Sequence, residues 1–123
     1  MLARAHRLRL GRDIDRVYRQ GRYGRGELLA VKMLKRPSGV TRAVVIVGKK
    51  VSKKAVVRNR IRRRLYAIVR LMEKEITAPH DIILNVFDAK VLEEPPKALT
   101  KLVKKQLAAA GVLSKAASRP KRD

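Results

Sequence analysis

The stretch V-V-R-N-R-I-R-R-R-L-Y, residues 56–66, places five arginines and an asparagine in the seven positions from Arg58 to Arg64. Guanidinium groups present planar forks of donors that clamp phosphate oxygens in pairs and stack on exposed bases. Across residues 55–70 there are six Arg and no Lys, which favours that bidentate chemistry over point-charge attraction. Asn59 adds an amide able to read a base edge or a ribose hydroxyl. A solvated surface helix normally mixes signs and gains from acid–base pairs four residues apart. Here no acid occurs between Glu27 and Glu73, so the charge asks for a polyanion. Lys53 and Lys54 crowd the start of the same segment, where the helix dipole disfavours cations and welcomes anions. A bound phosphate there reverses both penalties.

Residues for hydrolysis by the protein itself are missing from the pattern. A nuclease site needs clustered carboxylates for metals or a histidine acid–base pair. His6 sits in a basic arm, and His80 beside Asp81 reads as turn chemistry. Asp13 and Asp15 are too close together on a capping turn to form a metal cage. Without cysteine, thiolate zinc sites, disulfides and a cysteine nucleophile are excluded. Tyr66, on the same helix as the arginines, is assigned to partly buried packing, with stacking as the alternative.

The element holding the arginines is expected to open near Ser52 and run to about Glu75, before T-A-P-H. At 100° per residue Val57, Ile61, Leu65, Ile68 and Met72 fall within about 80° of one another, a coherent core stripe. Arg58, Asn59, Arg60, Arg62, Arg63, Arg64 and Arg70 occupy the rest of the circumference. Before it, Asp13 is expected to cap a helix over 13–20 that carries Ile14, Val17 and Tyr18 on one face and stops at Gly21. G-R-Y-G-R-G at 21–26 is a turn-rich connector with room for a short strand. Residues 27–34 read as a strand, 35–39 as a hairpin turn and 40–47 as its partner, covered on both faces over the apolar run 43–47. Residues 81–87 form a buried strand. Pro95 and Pro96 suit the first turn of a last helix whose stripe is Leu99, Leu102, Val103 and Leu107, ending near Gly111.

The order helix, strands, helix, strand, helix favours a two-layer α/β (α+β) sandwich, with helices largely on one side of the sheet. Residues 1–111 are expected to form a single RNA-binding domain with a basic arm over 1–11, and 112–123 a disordered basic tail. The 123 residues carry a net charge of +22, and residues 1–72 hold 22 of the 32 Lys and Arg but three of the ten acids. The partner therefore meets the first two thirds of the chain. Apolar runs are strand-sized, so no membrane span or membrane partner is expected, and a cytoplasmic location follows. No protein partner is evident. A DNA-reading helix usually mixes a few cations with uncharged readers inside an all-helical domain. Cations nearly all round a helix that follows a sheet suit folded RNA instead.

K-K-V-S-K-K-A-V-V-R-N-R-I-R-R-R-L, residues 49–65, resembles the R-N-R signature of the bacterial ribonuclease P protein component. R-A-V-V-I-V-G-K-K at 42–50 is similar to that family's third strand, and R-D-I-D-R-V-Y-R-Q-G at 12–21 to its first helix. The resemblance covers roughly residues 7–110. It implies a four-stranded sheet with a left-handed crossover through the Arg-rich helix. It also implies a protein that assists a catalytic RNA in cutting the 5′ leader from precursor tRNA, with Mg²⁺ held mainly by the RNA. Carried over, Arg58, Asn59, Arg60, Arg62 and Arg63 contact RNA beside Lys49 and Lys50. Ile14, Tyr18 and Val31 line the cleft for the leader. Family members usually have aromatics where this chain has Ile14 and Val31, leaving Tyr18 as the stacking platform, with Tyr23 as a second candidate. The competing readings are a basic structural ribosomal protein and a DNA-binding architectural protein.

Overall fold

In the computed structural model, which describes residues 6–9, 11–76 and 78–109, the chain runs through α1 (Gly11–Gln20), β1 (Arg22–Arg25), β2 (Leu29–Lys35), β3 (Arg42–Val47), α2 (Ala55–Met72), β4 (His80–Val86) and α3 (Pro96–Ala109). Short 3-10 turns cover Glu73–Glu75 and Ala89–Leu92. The expectations for the tail, 112–123, and for the start of the arm lie outside the described residues.

The sheet order is β1-β2-β4-β3, with β1–β2 and β2–β4 antiparallel and β3–β4 parallel. The 35–39 turn exists, and Gly39 takes φ +96, the left-handed conformation a side chain resists. Its two strands are not partners, however, because β4 inserts between them. The reason lies in burial. β4 is the strand covered on both faces, with Ile82, Ile83 and Leu84 all at 0% exposure, whereas β3 alternates buried and half-buried residues as an edge does. The most buried strand takes the centre although β3 is the more apolar in sequence, so neither the apolar run nor the turn signal says which strand that is.

Strand alternation sorts the two faces. Leu29, Val31, Met33, Ala43, Val45, Val47, Ile82, Leu84 and Val86 point to the layer formed by α2 and α3. Ile83, with Leu34, Val44 and Ile46, packs with Leu8 of the arm and with Ile14 and Val17 of α1 on the other face. Two helices thus cover one side, and α1 covers part of the other. Gly21, at the end of α1, lies so close to β2 that a Cβ there would sit 2.7 Å from the Met33 carbonyl oxygen.

The open edge of β3 is closed in two ways. Leu8 N–H donates to the Ala43 carbonyl at 3.0 Å, and the Tyr66 hydroxyl accepts from Val45 N–H at 3.1 Å in the interior. Tyr66 is therefore a packing residue that satisfies an edge donor, and it does not face solvent as a stacking platform. Tyr66→Phe is expected to cost about 1–3 kcal/mol, the penalty of an unsatisfied buried N–H. Denaturant unfolding will read this as a lower midpoint at unchanged slope.

Asp13 sits in the first turn of α1, since the helix starts at Gly11, and its carboxylate faces Arg42 at 3.3 Å. Arg42 in turn holds Asp81 through two bonds of 2.7 Å, with Arg36 3.7 Å from the same carboxylate. His80 and Asp81 begin β4, where His80 Nδ1 lies 2.7 Å from the Ala78 carbonyl oxygen.

Candidate nucleic-acid interface

α2 is positioned by its apolar stripe, which is wider than helical spacing alone defines. Ile61, Leu65, Ile68 and Met72 are buried as expected and Val57 half-buried, but Tyr66 and Val69 are buried too. The helix lies against β3 on one side and the Ala89–Leu92 turn on another, so two walls consume more of its circumference.

That second wall changes the arginine inventory. Arg64 turns inward, its Nη1 donating to the carbonyls of Val91 at 3.0 Å and Leu92 at 2.7 Å, and its Nη2 to the Glu94 carbonyl. It acts as a cap on the 3-10 turn. Arg58 is half-buried and donates to the Ser52 carbonyl at 2.9 Å, tying the helix to the loop before it. The expectation of guanidinium in every other direction is corrected accordingly. Asn59, Arg60 and Arg63 are exposed, and Arg62 is half-buried, with Nη1 2.6 Å from Asn59 Oδ1. That bond holds Arg62 and Asn59 as one pre-set unit and leaves the Asn59 amide N–H groups free to donate. Arg60 and Arg63 have no partner among the described residues.

α2 starts at Ala55 with Lys54 as its N-cap, not at Ser52, and no side chain caps it. Ser52 instead makes a turn, its Oγ accepting from Lys54 N–H at 3.2 Å. Lys53 and Lys54 are both exposed around this uncapped N-terminus, whose first turn contains no acid. Positive dipole end, open N–H groups and ammonium groups share one place, an arrangement that attracts a phosphate. Lys49 and Lys50 are exposed on the preceding turn, where Val51 N–H bonds to the Gly48 carbonyl at 3.0 Å.

A second surface lies on the α1 face of the sheet. Tyr18 is 38% exposed, and its hydroxyl donates to Asn85 Oδ1 at 3.0 Å. Ile14 is half-buried in the apolar floor beneath it. Val31 is elsewhere. It is fully buried against α2 and α3, because its neighbours Ala30 and Lys32 are the β2 residues that alternation turns toward α1. In its place the cleft gains Lys32, whose Nζ donates to the Tyr18 carbonyl at 2.5 Å and lies 5.5 and 5.8 Å from the centres of the Tyr18 and Tyr23 rings. Tyr23 is half-exposed, Phe87 is 39% exposed, and the Arg25 guanidinium lies 4.5 Å over the Phe87 ring. Three exposed aromatic rings, each with a cation over it, suit single-stranded nucleic acid, since bases stack on rings and guanidinium alike and phosphates pair with the cations.

A groove of about 410 Å³ at the ends of β3 and β4 is shared by the two surfaces, its lining including Asn85 and Phe87 from one and Lys49 and Lys50 from the other. Sequence reasoning missed Arg25, Lys32, Asn85 and Phe87. Alternation along 81–87 places Asn85 and Phe87 together, but only the position of α1 says which face matters. Among the described residues no group of three His, Cys, Asp or Glu can hold a metal ion, and no helix is long and apolar enough to cross a membrane.

The profile of the family described as Ribonuclease P matches residues 2–111. A ribonuclease P protein component from Picosynechococcus sp. is 39% identical over 85 residues, covering 69% of this chain and 73% of that protein. One from Roseiflexus castenholzii is 34% identical over 117 residues, 95% of each. The structure of the Staphylococcus aureus RNase P protein superposes with a TM-score of 0.77 at 21% identity, covering 90% of this chain and 100% of that one, which extends the likeness to the fold.

Proposed function

This chain belongs to the family of ribonuclease P protein components, and from that premise we propose how its two surfaces divide the work. The exposed face of α2 and the lysines at its start grip the catalytic RNA of ribonuclease P. The α1 face of the sheet holds the single-stranded 5′ leader of precursor tRNA. The chemistry belongs to the RNA and the Mg²⁺ it binds, and the protein screens repulsion between two polyanions, releasing counterions from both. The work takes place in the cytoplasm, where precursor tRNA is made.

The observation that carries this reading is the adjacency of two unlike surfaces. One is arginine on a rigid helix, suited to fixed phosphates of folded RNA. The other is open aromatics on a sheet, suited to unpaired bases. The groove between Lys49, Lys50 and Phe87 makes them continuous.

Adding the protein to the catalytic RNA should permit cleavage of precursor tRNA at lower Mg²⁺. Tyr18→Ala should then weaken binding of a precursor with a leader by about 5-fold or more, the worth of one base stack, and leave binding of mature tRNA unchanged. Equal losses for both ligands would show that the leader takes another path.

A further inference from the structure

A second cavity, of about 650 Å³, opens on the α3 side of the same sheet end, between α3, the β1–β2 turn and the segment after β4. Gln106 of α3 lines it. This residue is 5% exposed, yet its carboxamide has no hydrogen-bond partner among the described residues. A buried amide without partners opposes folding, and such groups are rare enough to need an explanation. The amide is held there by close packing. Gly24 and Gly26 bring β1 and its turn so near α3 that a Cβ on either would collide with Gln106, at Gly24 2.5 Å from the backbone oxygen and at Gly26 against Nε2 of the side chain.

The charge around this cavity differs from the rest of the chain. Three cations, Arg25, Lys90 and Lys105, are balanced by Glu27, Asp88 and Glu94, in a protein whose Lys and Arg outnumber its acids 32 to 10. A phosphate gains nothing from a neutral rim with three carboxylates and has better sites on α2. A neutral planar group with both donors and acceptors fits, since a carboxamide offers one acceptor and two donors in a plane. Leu28 and Leu102 supply apolar wall. The volume is within the range of small-ligand pockets.

We propose that this cavity is a nucleobase pocket, in which the Gln106 carboxamide pairs with the hydrogen-bonding edge of an unstacked RNA base. Arg25 connects it to the α1 face: its guanidinium covers Phe87 on that face, and the residue also lines the cavity. A strand that crosses Tyr18, Tyr23 and Phe87 therefore reaches the sheet end where one base can turn over the rim. This route rests on the leader reading; the pocket's chemistry does not.

The test is a titration of the full chain, following the side-chain amide signals of Gln106 by NMR, identified by their loss in Gln106→Leu. The four ribonucleosides and ribose 5-phosphate are added separately, then a single-stranded RNA long enough to span the α1 face. At least one nucleoside should shift the Gln106 signals saturably while ribose 5-phosphate leaves them in place. The RNA should shift them too, and Gln106→Leu should weaken RNA binding by about 3- to 10-fold, as loss of one buried hydrogen bond does. Leucine removes an unpartnered amide, so the variant's Tm should not fall. Nucleosides that leave Gln106 unmoved, or a ribose phosphate that moves it equally, overturn the pocket. RNA that moves the Tyr18 signals but not Gln106 overturns the pocket and spares the leader reading. RNA that moves neither overturns the leader reading, and the nucleosides alone then decide the pocket.

Discussion

Arg42→Ala is expected to lower stability by about 3–5 kcal/mol, the usual cost of removing one partner from a buried ion pair. Asp81 is 5% and Asp13 9% exposed, and both point at the guanidinium, through two bonds of 2.7 Å and one contact of 3.3 Å. Alanine leaves two buried carboxylates with Arg36 alone nearby, 3.7 Å from one of them. Thermal unfolding should show a drop of about 10–15 °C. Replacing the pair by apolar groups, Arg42→Met with Asp81→Leu, should recover a large part of the loss, because the penalty comes from stranded charge more than from a missing bond. A drop below about 2 °C for Arg42→Ala would mean that water screens the network.

The consequence reaches function through position. Asp13 is on α1, Arg42 on β3 and Asp81 on β4, so this network fixes the helix that carries Tyr18 over the sheet that carries Asn85. The hydrogen bond to Asp81 raises the Arg42 pKa; burial opposes the rise, while the charges of Asp81 and Asp13 add to it. A raised folded-state pKa on a cation means its contribution is complete below the unfolded value and lost only as pH climbs through the folded one. For an arginine that window is strongly alkaline, so Arg42 keeps its contribution across the neutral range.

How much of this was readable before the structure depended on whether the signal was local. The stripe Ile61, Leu65, Ile68 and Met72 follows from helical period alone, and it fixed the exposed side where Asn59, Arg60 and Arg63 lie. Period two likewise separates Val31 from Lys32, but it names two faces without saying which one α1 covers. That choice depends on Leu8, Val17 and Ile83, residues far apart in the chain. The place of β3 was hidden for a similar reason, since its partner begins at His80 and not across the turn at Gly39. Arg64 shows the limit of a helical wheel most directly. The wheel sets its Cα off the core stripe, but three backbone carbonyls from residues 91, 92 and 94 draw its guanidinium inward and remove it from the binding surface.

That distinction among arginines sets up the second large effect. Arg60→Ala with Arg63→Ala should weaken binding to the catalytic RNA by about 10- to 100-fold and reduce the slope of log affinity against log salt by about 2, one counterion per lost phosphate contact. Both side chains are exposed and have no partner among the described residues, so folding should change by less than about 0.5 kcal/mol. Arg64→Ala is the contrast, expected to destabilise the fold while leaving the salt slope in place. An unchanged slope in the double variant would remove α2 from the RNA interface. The free protein supplies an independent check on the same physics. Arg58, Arg60, Arg62, Arg63 and Arg64 repel one another on a helix with no acid among them, so salt should raise the wild-type Tm by screening. The double variant, with two of those charges gone, should gain less from salt. Binding and stability then respond in opposite senses to one ion, because salt competes with RNA for the same unneutralised charge.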